Sequence, residues 1–294
     1  MARSTQRRPV TRIRPGHEIV VRADTLVAEE PLEIRVNGSE LAVTMRTPGG
    51  DFDLAAGFLL SEGVVSRADD VAAITYRGGE LADGSNTFNV VDVTLAPGVP
   101  APDPAASRAF YTTSSCGICG KASISAVRTV SAHAVAGDGV VLDTSFVSAL
   151  PDRLREQQAL FTTTGGLHAA ALVDAATGDV LVVREDVGRH NAVDKVIGWA
   201  LREGRVPLTG CVLQVSGRVG FELVQKASMA GVPVLSAVSA PSSLAADLAE
   251  EIGLTLIGFV RGGSMVVYTR PDRVRHEHDG GRDGDGAPPR SEAP

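Results

Sequence analysis

The chain has 294 residues, 44% hydrophobic and 21% charged, enough for one large domain or two smaller ones around a substantial core. A formal net charge of -7 offers no basic field for nucleic acid, and no run approaches the roughly 20 apolar residues of a membrane helix. The basic start, Met1-Ala-Arg-Ser-Thr-Gln-Arg-Arg-Pro, lacks the apolar stretch of a secretory signal, so a reducing cytoplasm is expected, where three cysteines are not a disulfide framework.

In chain order, residues 1–16 read as a flexible arm, followed by a β-rich N-terminal part over 17–96. Strands are expected at 18–22, 32–36 and 41–46. A helix follows from Phe52 to Glu62, with Leu54, Ala55, Phe58 and Leu59 on its apolar face, Asp51 as cap and Gly63 as stop. Val91, Val93 and Leu95 alternate with polar residues as in a half-buried strand. A Pro-rich stretch, 97–107, then separates the two patterned halves.

The second half, 108–270, is expected to be α/β. A hairpin is expected at 168–174 and 179–184, then a helix at 191–201. A β-α-β-α-β series follows: strand 211–215, helix 221–230, strand 232–238, helix 242–252 and strand 254–260. Apolar strands alternating with helices imply a parallel sheet covered on both faces. The polar, Gly-rich end, 271–294, carries too little apolar surface to order itself.

In such sheets ligands bind beyond the carboxyl ends of the strands. Those ends carry Ser216-Gly-Arg218, Ser239-Ala-Pro241 and Arg261-Gly-Gly-Ser264. Each alone is readable as a tight turn. Converging on one edge, they suit a phosphate- or nucleotide-bearing ligand, with glycines for close approach, helix N–H donors and Arg for two-point contact. Arg184-Glu-Asp-Val-Gly-Arg-His190-Asn admits two readings. Asp186 or Asn191 caps a helix beside an exposed His190, or Arg189 and His190 face phosphates. His168 reads first as a buried structural histidine.

The most informative string is Thr112-Thr-Ser-Ser-Cys116-Gly-Ile-Cys119-Gly-Lys121. Lys121 and the start of a helix expected over 122–130 favour a thiolate, the form that attacks sulfane sulfur or a disulfide. Structural zinc needs four ligands, and this chain offers one pair; His276 and His278 lie in the polar tail. A thioredoxin-like motif belongs after an early strand, not mid-chain behind a Pro-rich stretch. The string lacks the first Gly and last Ser or Thr of a P-loop, and the Pro of a zinc deaminase motif. Cys211, in an apolar run, reads as a small core residue. Sulfur relay through a persulfide suits the exposed Cys116 and Cys119 best; a non-catalytic cofactor chaperone and a thiol–disulfide switch are the alternatives.

The order and number of several strings resemble the formate dehydrogenase accessory sulfurtransferase family. They are Glu29-Glu-Pro-Leu-Glu-Ile-Arg-Val-Asn-Gly, Thr47-Pro-Gly-Gly-Asp-Phe-Asp-Leu-Ala-Ala-Gly-Phe-Leu-Leu-Ser-Glu-Gly, Ser114-Ser-Cys-Gly-Ile-Cys-Gly, Thr164-Gly-Gly-Leu-His-Ala-Ala, Arg184-Glu-Asp-Val-Gly-Arg-His-Asn-Ala-Val-Asp-Lys and Ser216-Gly-Arg-Val-Gly-Phe-Glu. The resemblance implies a cytidine-deaminase-like layered fold without zinc, a homodimer, and a specific task. The protein would take sulfur from a cysteine desulfurase as a persulfide and deliver it to the molybdenum cofactor (bis-molybdopterin guanine dinucleotide) of formate dehydrogenase. It implies Cys116 as carrier and Cys119 as its assistant. It also implies a cofactor-binding segment of Phe259, Val260, Arg261, Gly262, Gly263 and Ser264.

Overall fold

A computed structural model describes residues 3–78, 87–102 and 131–276. The chain starts with β1 (Thr5–Arg12), paired antiparallel with β2 (Val20–Val27). The expected flexible arm therefore carries a strand, and the strand expected at 18–22 runs later. Register explains this: eight consecutive residue pairs, Thr5 with Val27 through Arg12 with Val20, stitch the two segments together. The hairpin stays largely exposed, including Ile13, Val20 and Val21.

A four-stranded sheet follows, in the order β4 (Ser39–Arg46), β3 (Glu30–Val36), β6 (Val90–Leu95), β5 (Val71–Tyr76). Leu32, Ile34 and Val36 alternate inward along β3, the period-2 pattern of a strand with one face in the core. Asn37 and Gly38 connect β3 to β4 with φ of 51° and 81°, the left-handed pair that an Asn-Gly hairpin turn supplies. Helix α1 (Asp51–Ser61) comes next. Its cap is Gly50, at φ 67°, rather than Asp51. Asp51 is instead the first helical residue, its carboxylate held by buried Arg46 at 3.1 and 3.2 Å.

The second sheet has six strands in the order β13 (Ser264–Val267), β12 (Thr255–Arg261), β11 (Val234–Ala237), β10 (Cys211–Val215), β8 (His168–Asp174), β9 (Val180–Asp186). The central β10, β11 and β12 are parallel, as their continuous burial requires. Antiparallel strands flank them on both sides, the β8–β9 hairpin and β13. Helices cover both faces. Leu213, Leu235 and Leu256 pack towards α4 (Arg189–Arg202), α5 (Phe221–Met229) and α6 (Ser243–Ile252). Val212, Val234 and Ile257 pack on the other face with Val147, Leu150 and Leu154 of α2 (Thr144–Glu156). The short α3 (Ala159–Thr164) follows α2.

The two halves share one core. Leu32 and Ile34 of the first sheet, Leu54 and Leu59 of α1, and Val193 and Ile197 of α4 belong to the same buried cluster as Leu235. The Pro-rich stretch thus parts the halves in sequence and not in packing. The junction is a backbone contact: a Cβ on Gly57 would lie 1.8 Å from the Asp194 carbonyl oxygen, and one on Gly198 1.8 Å from that of Asp53. Only glycine at both positions permits that crossing.

The tail expected from 271 begins later. Pro271–Arg273 is a 3-10 turn, and β14 (Val274–Arg275) pairs with β7 (Leu142–Asp143). Arg273 is buried because its guanidinium donates to the carbonyl oxygens of Val135, Ala136, Asp138, Pro233 and Gly253, satisfying five acceptors where the chain would otherwise fray. Residues 277–294 of the expected tail lie outside the described residues, as do residues 103–107 of the Pro-rich stretch. No helix among the described residues is long and apolar enough to cross a membrane.

Candidate functional site

The parallel strands end on one ledge. After β10, the Ser216 amide donates to the Ala169 carbonyl at 3.0 Å, and the Ser216 hydroxyl accepts from the Ala169 amide at 2.9 Å. The Val219 amide donates to Ala240 at 3.2 Å and the Ser242 amide to Val219 at 2.9 Å, tying the turn after β10 to the turn after β11. The Phe259 amide reaches the Ser239 carbonyl at 3.3 Å, which brings in β12. A Cβ on Gly258 would sit 3.0 Å from Pro241, so glycine is needed for this approach. The convergence of three strand ends expected from the sequence is therefore present.

The segment 259–264 divides into parts. Phe259 sits at φ 53°, a left-handed conformation strained for an aromatic residue, where the β12–β13 register shifts. The Arg261 guanidinium lies 6.0 Å from its ring centroid. Val260 is fully buried in the core, so it offers the ledge only its backbone. Gly262 and Gly263, at φ 57° and 76°, form the two-residue turn between paired Arg261 and Ser264. Hairpin geometry alone accounts for both glycines.

Positive charge gathers beside the ledge. His168 opens β8, opposite Asp186 at the end of β9, and lies against Gly217, where a Cβ would come 3.2 Å from its Nδ1. Burial, then the cations of Arg189, His190 and Arg218, hold the His168 pKa below its usual value, against the opposing pull of Asp186. Arg189 and His190 are the first two residues of α4, whose cap position is Gly188 without a side-chain cap. Neither expected cap serves: Asp186 Oδ1 accepts from the Gly188 amide at 2.8 Å and from Asn191 Nδ2 at 3.1 Å, so the two bond to each other. Glu222 stands 3.8 Å from His190 Nε2, too far for a hydrogen bond. Burial alone would push its carboxyl up, but His190, its own backbone amide and then Arg189 together hold it below the usual range. Arg189 Nε and His190 Nε2 are buried without a hydrogen-bond partner.

Two sequence motifs interlock to hold this turn. The Thr47 amide donates to Asp186 Oδ2 at 3.1 Å, and the Val187 amide to the Thr47 hydroxyl at 3.1 Å. Lys195 Nζ lies 2.7 Å from Asp186 and donates to the Thr47 carbonyl at 2.9 Å. A cleft of about 310 Å³ opens alongside, lined by Thr47, Gly50, Arg184, Glu185 and Lys195 among others. The Thr47 and Arg184 strings are thus largely devices for presenting Arg189 and His190. Arg218, expected at the strand ends from the sequence, stands beside them after β10, and Glu222, which reading the sequence left out of the site, joins them through the fold.

Cys116 and Cys119 lie outside the described residues, with Lys121 and the helix expected at 122–130. The third cysteine is accounted for. Cys211 is buried at the start of β10, and burial, then the nearby Asp174, pushes its thiol up to about 11. At neutral pH it stays a thiol and is no sulfur nucleophile.

A mixed sheet with helices on both faces and glycine-flanked strand ends, beside which Arg189 and Arg218 have no salt-bridge partner among the described residues, defines the protein as α/β. The profile of the FdhD/NarQ family matches residues 27–275, and the chain belongs to that family. It is 60% identical over 275 residues to the "Sulfur carrier protein FdhD" of Streptomyces avermitilis, covering 93% of this chain and 97% of that protein. It is 58% identical over 260 residues to the protein of the same name from Mycobacterium tuberculosis, covering 87% and 94%. The crystal structure of a putative formate dehydrogenase accessory protein from Desulfotalea psychrophila shares the fold, with a TM-score of 0.71 at 22% identity over 93% of this chain and all of that one.

Proposed function

We propose that this protein is a cytoplasmic, homodimeric sulfur carrier. It accepts sulfur from a cysteine desulfurase as a persulfide and transfers it to the molybdenum cofactor, bis-molybdopterin guanine dinucleotide, required by formate dehydrogenase. The observation that carries this reading is the division of the cysteines. Cys211 is a buried thiol of high pKa, which leaves the Gly-flanked Cys116 and Cys119, beside Lys121, for sulfur chemistry. The name borne by relatives that match nearly the whole chain supports the same reading.

In the first step the Cys116 thiolate attacks the outer sulfur of the desulfurase persulfide. The donor's S–S bond breaks, its cysteine leaves as thiolate, and a Cys116 persulfide forms with no net gain or loss of electrons. For release, the Cys119 thiolate attacks the inner sulfur on Cys116: the persulfide S–S bond breaks, the outer sulfur leaves as hydrosulfide for the cofactor, and the Cys116–Cys119 disulfide that forms is reduced by an external thiol before the next cycle. The cofactor is the substrate and docks by its nucleotide end at the ledge, where Phe259 offers a ring face, Arg261 a guanidinium, and Gly262, Gly263 and Ser264 exposed backbone. Holding donor and acceptor on one protein makes transfer local.

Intact-mass spectrometry after incubation with an active cysteine desulfurase and cysteine tests the relay. Added sulfur that a reductant removes is expected on the wild type and on Cys211→Ala, and is expected to be missing from Cys116→Ala. A wild type that gains no sulfur would overturn the relay in favour of a non-catalytic cofactor chaperone.

A further inference from the structure

The ledge contains more cation than its own carboxylates neutralise. Asp186 is matched by Lys195, at 2.7 Å, and is further occupied by the Thr47 and Gly188 amides. Asp194, which also interacts with His190, is matched by Lys226 at 2.7 Å, so that among the described residues Glu222 is the remaining carboxylate beside the cluster, and it faces His190 and Arg189. Against it stand the two guanidinium groups of Arg189 and Arg218, with the imidazoles of His168 and His190 beside them. Neither Arg189 nor Arg218 has a salt-bridge partner among the described residues. Arg189 Nε and His190 Nε2 are also buried without any acceptor. An unsatisfied buried donor on a charged group costs more than most hydrogen bonds contribute, so such donors persist where a ligand supplies the acceptor.

The geometry specifies the ligand's chemistry. The donors converge on the uncapped start of a 14-residue helix, whose first amides and dipole favour a compact anion. Gly217, pressed against His168, keeps the turn after β10 low enough for a phosphate to approach, since a side chain there would meet the imidazole at 3.2 Å. The turn of Gly262 and Gly263 differs. Its backbone is accounted for by the hairpin, and open space surrounds both glycines.

We propose that Arg189, His190, His168 and Arg218 form a diphosphate subsite at the start of α4, so that the nucleotide's phosphates sit there and not at the turn of Gly262 and Gly263. This rests on the nucleotide-bearing substrate proposed above and assigns its two ends. Phosphates lie at the α4 start, while Phe259 and Arg261 face the remainder.

Isothermal titration calorimetry of the full chain with inorganic pyrophosphate, and separately with GDP, tests the assignment. The wild type is expected to bind both, more weakly as salt is raised. Arg189→Gln and Arg218→Gln are each expected to weaken pyrophosphate binding by roughly tenfold or more, the loss of one charge-assisted contact. Arg7→Gln, on the exposed N-terminal hairpin, controls for general electrostatics and is expected to bind as the wild type does. Circular dichroism checks that each variant folds. Should Arg189→Gln fail to fold, the exposed Arg218 decides alone. A wild type that binds GDP but not pyrophosphate, or neither, would overturn the subsite, as would unchanged pyrophosphate affinity in folded Arg189→Gln or Arg218→Gln. The wild type's sulfur uptake separates the two claims. Pyrophosphate binding with the expected losses but no persulfide leaves the subsite standing and removes the carrier; persulfide without pyrophosphate binding does the reverse.

Discussion

Helix α4 passes through two environments within a few turns. Along its body, at the seam with α1, every buried charge has a partner. Lys226 donates to both Asp194 oxygens at 2.7 and 2.8 Å while Ser61 donates to one of them at 2.7 Å, and Lys195 meets Asp186. Asp53 on α1 receives Arg184 at 2.8 and 3.0 Å, and Arg202 as well. In its first turn, Arg189 and His190 keep buried nitrogens without acceptors. Satisfied polar groups at the seam specify how the two halves of the chain join. Unsatisfied ones at the ledge retain capacity for a ligand, at some cost to stability.

The comparison breaks most readily at the seam's backbone contact. Gly198→Ala would drive a methyl group into the Asp53 carbonyl and is expected to cost about 3 kcal/mol or more, read as a fall in the urea midpoint or as loss of folded protein. Comparable in size, Asp194→Asn leaves Lys226 charged and nearly buried, at an expected cost of about 3–5 kcal/mol. Adding Lys226→Met should recover much of that loss, because the stranded charge is gone; no recovery would mean that Asp194 acts through Ser61 alone. At the ledge the sign changes. Arg189→Met is expected to leave thermal stability unchanged or raise it by up to about 1 kcal/mol. A loss as large as that of Asp194→Asn would place Arg189 with the seam.

Periodicity and turn chemistry made much of the architecture legible. The helix at α1, the β8–β9 hairpin and the β10-α5-β11-α6-β12 series follow from apolar spacing, and the gathering of strand ends follows from the parallel connection rule. What misled was local reasoning about ends. Residues 5–12 look like an arm because their partner strand is not evident until register is known. Arg273 looks like part of a polar tail, yet it is buried against five carbonyls drawn from three distant stretches. Asp186 and Asn191 look like helix caps because each is a good capping residue, but they bond to each other beside an uncapped Gly188.

The sequence by itself determined the β8–β9 hairpin, the β10-α5-β11-α6-β12 series, the α/β class and the chemistry available. Cys116 and Cys119 are the only thiols outside an apolar run, and their Gly neighbours and Lys121 already point to sulfur transfer. Tertiary structure decided which charges are spent and which are free. Arg46, Arg184, Arg189 and Arg218 look alike in a linear chain. Only packing shows that the first two are neutralised by Asp51 and Asp53 while the last two stand beside His168 without a salt-bridge partner among the described residues. The reason is physical: a carboxylate neutralises a cation through a contact of a few ångströms, and in this chain Asp53 and Arg184 come together from 131 residues apart.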